Sequence, residues 1–345
     1  MLFESAGVSL SLRGRRIYSP VPQPSNRVGS AAKDKQNLIS PTSNPSSPAP
    51  PSPMYLFGCP WDAMDYSCSY DCVFMALSWI YLHAPRAQQT TWMAERKAAR
   101  DLVRSFQAIS TALQPRSDSH QPTEGLTPLF STGRNTLRDN LLKHSPDLFK
   151  RGKAYITIGD VLDHLAGKMP FTSTVVCRCA RIVKEHVGAS YMLTPSIWKS
   201  MTGSEAKPVH ESLAEWLSKF AVFKAPFKSH ACSRCHDICQ ESLSFGRLPW
   251  IWFSVVANHP RIAVPSLRIS LGSDSYRLAA VIYGNDKHFV ARLGTPSGTW
   301  HNYDGMERLG RPGTALLIKS EQDLVGYDGS HTICALVYCL VPPSP

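Results

Sequence analysis

The sequence predicts an α+β fold in which a helical lobe precedes and packs on a mainly antiparallel β-sheet lobe. Apolar residues recur at helical spacing in the first half of the chain, beginning just after Cys68. From Thr172 onward, runs of β-branched and aromatic residues dominate and are separated by turn residues. The 345 residues are enough for one large core or two modest ones. Helices in one half and strands in the other are typical of an α+β protein.

Four helices are predicted. The first begins at Cys68 and contains apolar residues at helical spacing: Val73, Phe74, Ala76, Leu77 and Ile80. Thr90 or Thr91 caps the second, which ends before Pro115 and contains Trp92, Ala98, Leu102, Val103 and Phe106. Two shorter helices follow at about residues 134–143 and 158–166, each with apolar residues on one side. These helices would form the lobe that packs around the first one.

Alternation of apolar and polar residues predicts the strands of the second half. They are expected at residues 172–177, 250–256, 277–283, 288–293, 300–303 and 332–340. The sequence Gly284-Asn-Asp-Lys287 between two of them is typical of a turn, as is Gly294-Thr-Pro-Ser-Gly298 before the next. The sheet would therefore be built largely from neighbouring antiparallel strands.

Residues 1–53 differ in composition from the rest of the chain. They hold 9 of the 27 prolines and 11 serines, with few aromatic residues. Such a segment buries too little apolar surface to offset its ordering entropy. The sequence therefore predicts a disordered tail over 1–53 and a folded domain over 54–345, beginning at Met54.

The net charge of +11, of which the tail supplies +4, raises the question of nucleic-acid binding. The basic residues are scattered, with small groups at Arg13-Gly-Arg-Arg16 and Arg96-Lys-Ala-Ala-Arg100, and no nucleic-acid motif accompanies them. A solvated basic surface is the preferred interpretation. A zinc-stabilised protein that contacts nucleic acid nonspecifically through the tail is the alternative.

The chain lacks the pattern of a secretory signal, and no apolar run approaches the roughly 18 residues that a spanning helix needs. A soluble intracellular protein, cytoplasmic or nuclear, is expected, with no membrane partner. Ten cysteines in such a protein indicate thiols, metal ligands or a nucleophile rather than disulfides.

Two segments contain residues for thiol chemistry. Cys68 opens the first helix, where free backbone N–H groups and the helix dipole favour a thiolate. His288 lies at a strand end, and Asp304 follows 16 residues later, where the chain returns beside the histidine strand. These residues are candidates for nucleophile, base and orienting carboxylate.

Taken singly, each of the three residues has a structural interpretation: a buried thiol, a strand residue and a turn residue. Cys72 competes as the nucleophile, but it lies one turn further along the helix and is expected to face the core.

The two segments together resemble the boxes of the ubiquitin-specific proteases, a family of papain-like cysteine enzymes. The first box matches in spacing at Cys68-Ser-Tyr-Asp-Cys-Val-Phe74, with Asp71 and Cys72 in place of the family's Asn-Ser. The second box appears as Lys287-His-Phe289 and Trp300-His-Asn-Tyr-Asp304. The resemblance spans roughly residues 55–342, although only the boxes are specific. It implies a papain-like fold, hydrolysis after the C-terminus of ubiquitin or a ubiquitin-like protein, and catalytic roles for Cys68, His288 and Asp304.

Two positions depart from the family pattern. The family's asparagine, five residues before the cysteine, helps to bind the oxyanion, and Ala63 stands there in this chain. Asp62 and Asp65 replace it as donors only if protonated. Lys287 stands where the family has glycine before the histidine. The sequence therefore predicts either a weakened enzyme or a noncatalytic ubiquitin-binding scaffold of the same fold.

Two cysteine pairs lie between the boxes: Cys177 with Cys179, and Cys232 with Cys235. Four thiols suffice for a structural zinc, and Cys-x-x-Cys is half of a common tetrahedral site. The resemblance supports zinc, because many members of the family hold a fingers insertion with two such pairs. His236 or Cys239 is an alternative ligand. In the interpretation without metal, Cys177 and Cys179 are alternating strand residues.

Overall fold

The computed structural model describes residues 58–92, 97–114, 126–166, 171–177, 179, 182–188, 191–193, 212–215, 217, 226–232, 234–245, 247–255, 264–285 and 287–342. The expected tail over 1–53 lies outside these residues. Within the described residues, the first half contains five α-helices: α1 (Cys68–His83), α2 (Arg86–Gln89), α3 (Lys97–Leu113), α4 (Leu126–His144) and α5 (Ile158–Ala166).

Helix α1 is the centre of the helical lobe. Every residue from Cys68 to Tyr81 is buried, because the helix carries apolar side chains on all sides and other elements surround it. Phe74 packs against Phe106 of α3 and Phe130 of α4, with ring centroids 5.3 and 6.4 Å apart. The predicted start of this helix at Cys68 is confirmed.

The segment that follows α1 differs from the expectation. Thr90 and Thr91 do not cap a long helix but lie in a 3₁₀ turn (Thr90–Trp92) directly after α2. Their hydroxyls donate to the carbonyls of Ala87 and Gln88, three residues earlier, so they close the preceding turn. Helix α4 is also longer than expected at its N-terminal end, whereas α5 begins and ends where the sequence predicts.

The main sheet contains eight strands in the part of the chain that the structure describes. Its order is β11-β10-β9-β8-β12-β6-β3, and β7 pairs with β8 beside this path. All pairings are antiparallel except that of β3 with β6. The strands are β3 (Tyr191–Leu193), β6 (Trp250–Val255), β7 (Arg268–Leu271), β8 (Asp274–Gly284), β9 (Phe289–Gly294), β10 (Trp300–Tyr303), β11 (Ala315–Leu316) and β12 (Thr332–Leu340).

A separate four-stranded sheet is inserted between the helices and the main sheet along the chain. Its order is β2-β1-β5-β4, and its pairings are antiparallel. The strands are β1 (Phe171–Val176), β2 (Ile182–Gly188), β4 (Pro226–Ala231) and β5 (Ile238–Phe245). It stands where the sequence predicts a fingers insertion.

The main sheet separates two apolar clusters, as alternating inward and outward residues require. One lies between α1 and the sheet, where the Trp79 indole N–H of α1 donates to the Gly294 carbonyl at 3.2 Å. The other lies on the opposite face and includes Ile251, Tyr283 and Leu336. Within the described ranges, no helix combines the length and apolar character needed to cross a bilayer.

Candidate functional site

Cys68 is the first residue of α1 and lies at the edge of the buried core. Its side chain is 7% exposed. The chain enters the helix through Tyr66, whose φ of 44° is in the left-handed region that non-glycine residues adopt only at a cost. The Cys68 sulfur therefore lies at a helix N-terminus, where backbone N–H groups and the helix dipole stabilise negative charge.

His288 and Asp304 form a hydrogen-bonded pair at neighbouring strand ends. His288 directly precedes β9, Asp304 directly follows β10, and these two strands are antiparallel neighbours. His288 Nε2 lies 2.8 Å from Asp304 Oδ1. The same carboxylate oxygen accepts the Met306 backbone N–H at 2.8 Å, which fixes its orientation. Cys68 is the third member of this group, since its side chain contributes to the raised pKa of the His288 imidazole.

These contacts favour a charged imidazole. Burial lowers the pKa of His288, but the hydrogen bonds to Asp304 and Cys68 outweigh it and raise the pKa to about 9. Burial raises the pKa of Asp304, but its hydrogen bonds with His288 and the Met306 N–H outweigh burial and lower the pKa below the ordinary range. The arrangement therefore stabilises an imidazolium flanked by a carboxylate and a sulfur.

The segment before Cys68 is tied to the segment that contains Asp304. The Tyr303 hydroxyl donates to the Cys59 carbonyl at 2.9 Å, and the Trp61 N–H donates to the Gly305 carbonyl at 2.8 Å. These bonds bring together residues more than 240 positions apart in sequence. They hold the start of α1 at the same end of the sheet as the His288–Asp304 pair.

A buried ion pair supports the first turn of α1. Asp71 is fully buried, forms an ion pair with Arg134 of α4 and accepts a hydrogen bond from the Ser67 hydroxyl at 2.7 Å. Burial raises the pKa of Asp71 to about 7, although Arg134 and the Ser67 hydroxyl lower it. The aspartate thus joins the loop before Cys68, α1 and α4. Neither Ser67 nor Arg134 is recognisable from the sequence, since the pattern gives no partner for Asp71.

The turn that would supply oxyanion donors offers no side-chain amide. Ala63 is exposed within the turn that precedes α1. Asp65 accepts the Gly152 N–H and forms ion pairs with Arg138 at 3.0 Å and Arg151 at 3.2 Å. These partners outweigh burial and lower the pKa of Asp65, so it is a carboxylate and not a donor. The backbone N–H of Cys68 remains as a donor.

Cys72 faces the core, as expected. It is fully buried, and burial, with smaller contributions from Cys68 and Asp71, raises the pKa of its thiol well above the usual range. A thiol that cannot readily ionise is a poor nucleophile. Of the two cysteines of this turn, Cys68 is the one that contributes to the raised pKa of His288.

Four cysteines converge at the tip of the inserted sheet. The sulfurs of Cys177, Cys179, Cys232 and Cys235 all lie within 4.8 Å of one another. Cys177 Sγ is 3.0 Å from Cys235 Sγ, and Cys179 Sγ is 3.8 Å from Cys232 Sγ. In a tetrahedral site, Zn–S bonds of about 2.3 Å place the sulfurs roughly 3.8 Å apart, so this donor set fits zinc.

The local backbone also suits a metal. The chain folds back after Cys232, with its carbonyl accepting the His236 N–H at 2.8 Å and its N–H donating to Asp237 at 2.9 Å. Backbone N–H groups of Arg234 and Cys235 donate to the Cys232 sulfur and lower its pKa to about 6. Cys177 directly follows β1 and Cys179 lies in the next turn, so they are not alternating strand residues. His236 is outside the cluster, and the Cys239 side chain lies outside the described residues.

Comparison with solved structures was made by fold. The chain is similar to the structure of the SAGA Ubp8/Sgf11/Sus1/Sgf73 DUB module bound to ubiquitin aldehyde, with a TM-score of 0.50 and 13% identity over 86% of this chain and 72% of that chain. A structure of the module bound to monoubiquitin gives a TM-score of 0.49 at the same identity and coverage. The Saccharomyces cerevisiae Pan2 pseudoubiquitin hydrolase–RNA exonuclease module gives 0.39 at 11% identity, over 82% of this chain and 54% of that chain.

The first of these similarities confirms the predicted fold: a papain-like α+β arrangement similar to that of ubiquitin proteases, with an inserted sheet that carries the cysteine cluster. At 13% identity it defines the fold and not the activity. No family model matches the sequence, and no curated protein is significantly similar to it.

Two residues beside the candidate triad were not predicted. Asn285 lies in the turn before His288, and His331 lies in the segment before β12, with its ring 6.4 Å from the His288 ring. The turn signal around Asn285 was visible in the sequence. Nothing in the sequence indicates that His331 lies near it, because 46 residues separate the two.

Proposed function

We propose that this chain is a cysteine-dependent hydrolase of the deubiquitinase type. It would cleave the isopeptide or peptide bond at the C-terminus of ubiquitin or a ubiquitin-like protein. The observation that carries this proposal is the convergence of Cys68, at the N-terminus of a buried helix, with the hydrogen-bonded pair of His288 and Asp304. The fold adds support, because the similar DUB module was solved bound to ubiquitin aldehyde.

The proposed reaction assigns one role to each of the three side chains. The Cys68 thiolate attacks the carbonyl carbon of the modifier's last residue to form a thioester, the C–N bond to the amine breaks, and the His288 imidazolium protonates the departing amine. A water molecule, deprotonated by His288, then hydrolyses the resulting thioester and releases the free carboxylate and the thiol. Asp304 accepts a hydrogen bond from Nε2 throughout, so Nδ1 would be the ring nitrogen that exchanges the proton.

The rate of this hydrolase should be low. Loss of one side-chain donor to the oxyanion typically costs about 10²- to 10³-fold in rate. Ala63 offers no such donor, and the ionised Asp65 is engaged by two arginines. The second candidate function is a noncatalytic ubiquitin-binding scaffold of the same fold. Ala63, which offers no oxyanion donor, and Lys287, which replaces a glycine, both favour it.

A ubiquitin probe with a C-terminal electrophile separates the two functions. For the hydrolase, the parent chain forms a covalent adduct of increased mass, Cys68→Ala forms none, and Cys72→Ala retains most of the labelling. Cys72→Ala is the matched control, because it removes a thiol one turn away that is buried and hard to ionise. Binding of ubiquitin without an adduct would support the scaffold instead. Absence of both binding and labelling would contradict a ubiquitin-directed function.

We also propose a structural zinc at Cys177, Cys179, Cys232 and Cys235. The metal would bind the four thiolates and hold the tip of the inserted sheet, and it takes no part in the hydrolysis. The nine cysteines whose side chains the structure describes are free thiols, which suits a reducing compartment inside the cell. Nonspecific contact with nucleic acid through the basic tail remains a separate proposal.

A further inference from the structure

The turn that carries His288 is closed by one side chain. Asn285 Oδ1 accepts the backbone N–H of Lys287 at 2.9 Å and of His288 at 2.8 Å. The backbone N–H of Asn285 in turn donates to the His288 carbonyl at 3.1 Å. The backbone position of His288 therefore depends on the orientation of the Asn285 amide.

These hydrogen bonds also fix the direction in which the side-chain NH₂ group of Asn285 points. Because Oδ1 accepts two N–H groups, Nδ2 must point the opposite way, where it lies 3.1 Å from Nε2 of His331. An amide NH₂ only donates, so Nε2 of His331 must be the acceptor. The proton of the neutral His331 ring is consequently on Nδ1.

The Nδ1 proton has a fixed acceptor. Nδ1 of His331 lies 2.9 and 3.0 Å from the two carboxylate oxygens of Asp328, and the Ser330 hydroxyl is 3.0 Å away. Asp328 is itself held by the backbone N–H groups of Ser330 and His331, at 2.9 and 3.1 Å. The carboxylate thus selects the tautomer of His331 that can accept from Asn285.

We propose that His331 is a positioning residue for His288, acting through Asn285. Asp328 orients the His331 ring, the ring orients the Asn285 amide, and the amide holds the backbone of His288 so that its ring meets Cys68. The side chain of His331 is only 10% exposed, which suits a fixed acceptor. The role of His331 in catalysis rests on the proposed function. The experiment that tests the positioning does not, because it requires no cleavage of a substrate.

The test measures alkylation of Cys68 by iodoacetamide, which needs no ubiquitin. The rate is followed by mass spectrometry of the Cys68 peptide near neutral pH, where the imidazole activates the thiol. His288→Ala establishes how much of the rate depends on the imidazole. His331→Leu removes the acceptor, whereas His331→Gln retains an acceptor for Asn285 and a donor for Asp328.

His331→Leu should lower the alkylation rate by about 10-fold, since small misplacements of a reacting group are costly. His331→Gln should recover most of the rate, and the two variants should unfold at similar temperatures. In an Asn285→Ala background, His331→Leu should add no further loss, because the two residues act in one chain of contacts. A purely structural role would not produce this pattern.

Parental reactivity in His331→Leu, or equal loss in the Leu and Gln variants, would overturn the inference. A parental alkylation rate in His288→Ala would also overturn it, since the reactivity of Cys68 would then not depend on the His288 imidazole. Failure of the ubiquitin probe to label a chain that shows the expected His331 pattern would count against the proposed function alone.

Discussion

The charge of His288 links the candidate site to the stability of the fold. Its pKa rises from the ordinary 6.5 to about 9 on folding. A raised pKa means that the folded state binds the proton more tightly, so the resulting stabilisation is complete below about pH 6.5 and is lost as the pH rises through 9. We predict that the free energy of unfolding falls between pH 7 and 10 by at most about 3 kcal/mol from this residue.

Denaturant unfolding of the parent and of His288→Ala across this pH range measures the effect. The difference between the two curves should shrink as the pH rises, since the variant has no imidazolium to lose. His144→Ala is the matched control, because it removes an exposed histidine at the end of α4 that is not part of the candidate site. A constant difference from pH 6 to 10 would show that His288 is not charged in the folded protein.

At the residue scale, local sequence patterns identify the candidate triad residues but not the residues that hold them in position. Cys68 could be found because an apolar helix follows it, and Asp304 because the Trp300-to-Asp304 pattern precedes it. Arg134 could not be found, because its only signal is the buried charge of Asp71, and a sequence does not show which charges are buried. Asn285 and His331 meet only after β8 and β12 pair.

Among the elements, the crossing of α1, α3 and α4 depends on Gly133. A methyl group on Gly133 would lie 2.5 Å from Phe74 Cζ and 3.1 Å from Ser105 Cβ. Gly133→Ala should therefore destabilise the protein by about 1 to 2 kcal/mol, because overpacking outweighs the roughly 1 kcal/mol gain in helix propensity.

Thermal or denaturant unfolding checks this, with Gly326→Ala as the control. Gly326 is exposed, and a methyl group there meets nothing within 4 Å, so its effect should stay within about 0.5 kcal/mol. Stabilisation by Gly133→Ala would mean that the helices can separate at this point without cost.

The cysteine cluster gives a prediction for the inserted sheet. Purified protein should contain about one zinc per chain, and Cys232→Ser should lose it, because three thiolates bind zinc much less tightly than four. His236→Asn should keep the metal, since His236 lies beside the cluster and not within it. Elemental analysis measures both, and chelation should lower the melting temperature before it changes Cys68 reactivity.

Metal-free protein with unchanged stability would refute the zinc proposal. Loss of zinc in His236→Asn would instead point to a different set of ligands.

Elements with strong periodicity were easier to predict than the others. The strand at 332–340 and the helix at 158–166 have strong periodicity, and the structure places both where the sequence does. Strands β2, β4 and β5 were missed, because polar residues interrupt their apolar pattern and their pairing with β1 is decided by distant partners. The 3₁₀ turn at Thr90–Trp92 was mistaken for a cap, since threonine favours both.

For the whole molecule, the domain boundary near residue 54 stays a prediction. Deleting residues 1–53 should leave the melting temperature and the reactivity of Cys68 unchanged, because the deleted segment offers no apolar face to dock. The deletion removes +4 of the +11 charge, so any binding to nucleic acid should weaken and lose part of its salt dependence.

Calorimetry, iodoacetamide alkylation and a salt titration of binding measure these three properties on one truncated protein. A substitution of the six tail arginines and lysines by glutamine in the full chain separates charge from length. Misfolding of the truncated chain would place part of the tail in the core and move the boundary.

The hydrogen bonds from Tyr303 to Cys59 and from Trp61 to Gly305 also have a consequence for synthesis. The two halves of the candidate site are separated by 220 residues between Cys68 and His288. At about 5 to 20 residues per second, the ribosome needs roughly 10 to 40 seconds to pass from one to the other. During that interval the nascent chain carries Cys68 without its candidate base, so the candidate triad is incomplete until His288 and Asp304 have been synthesised.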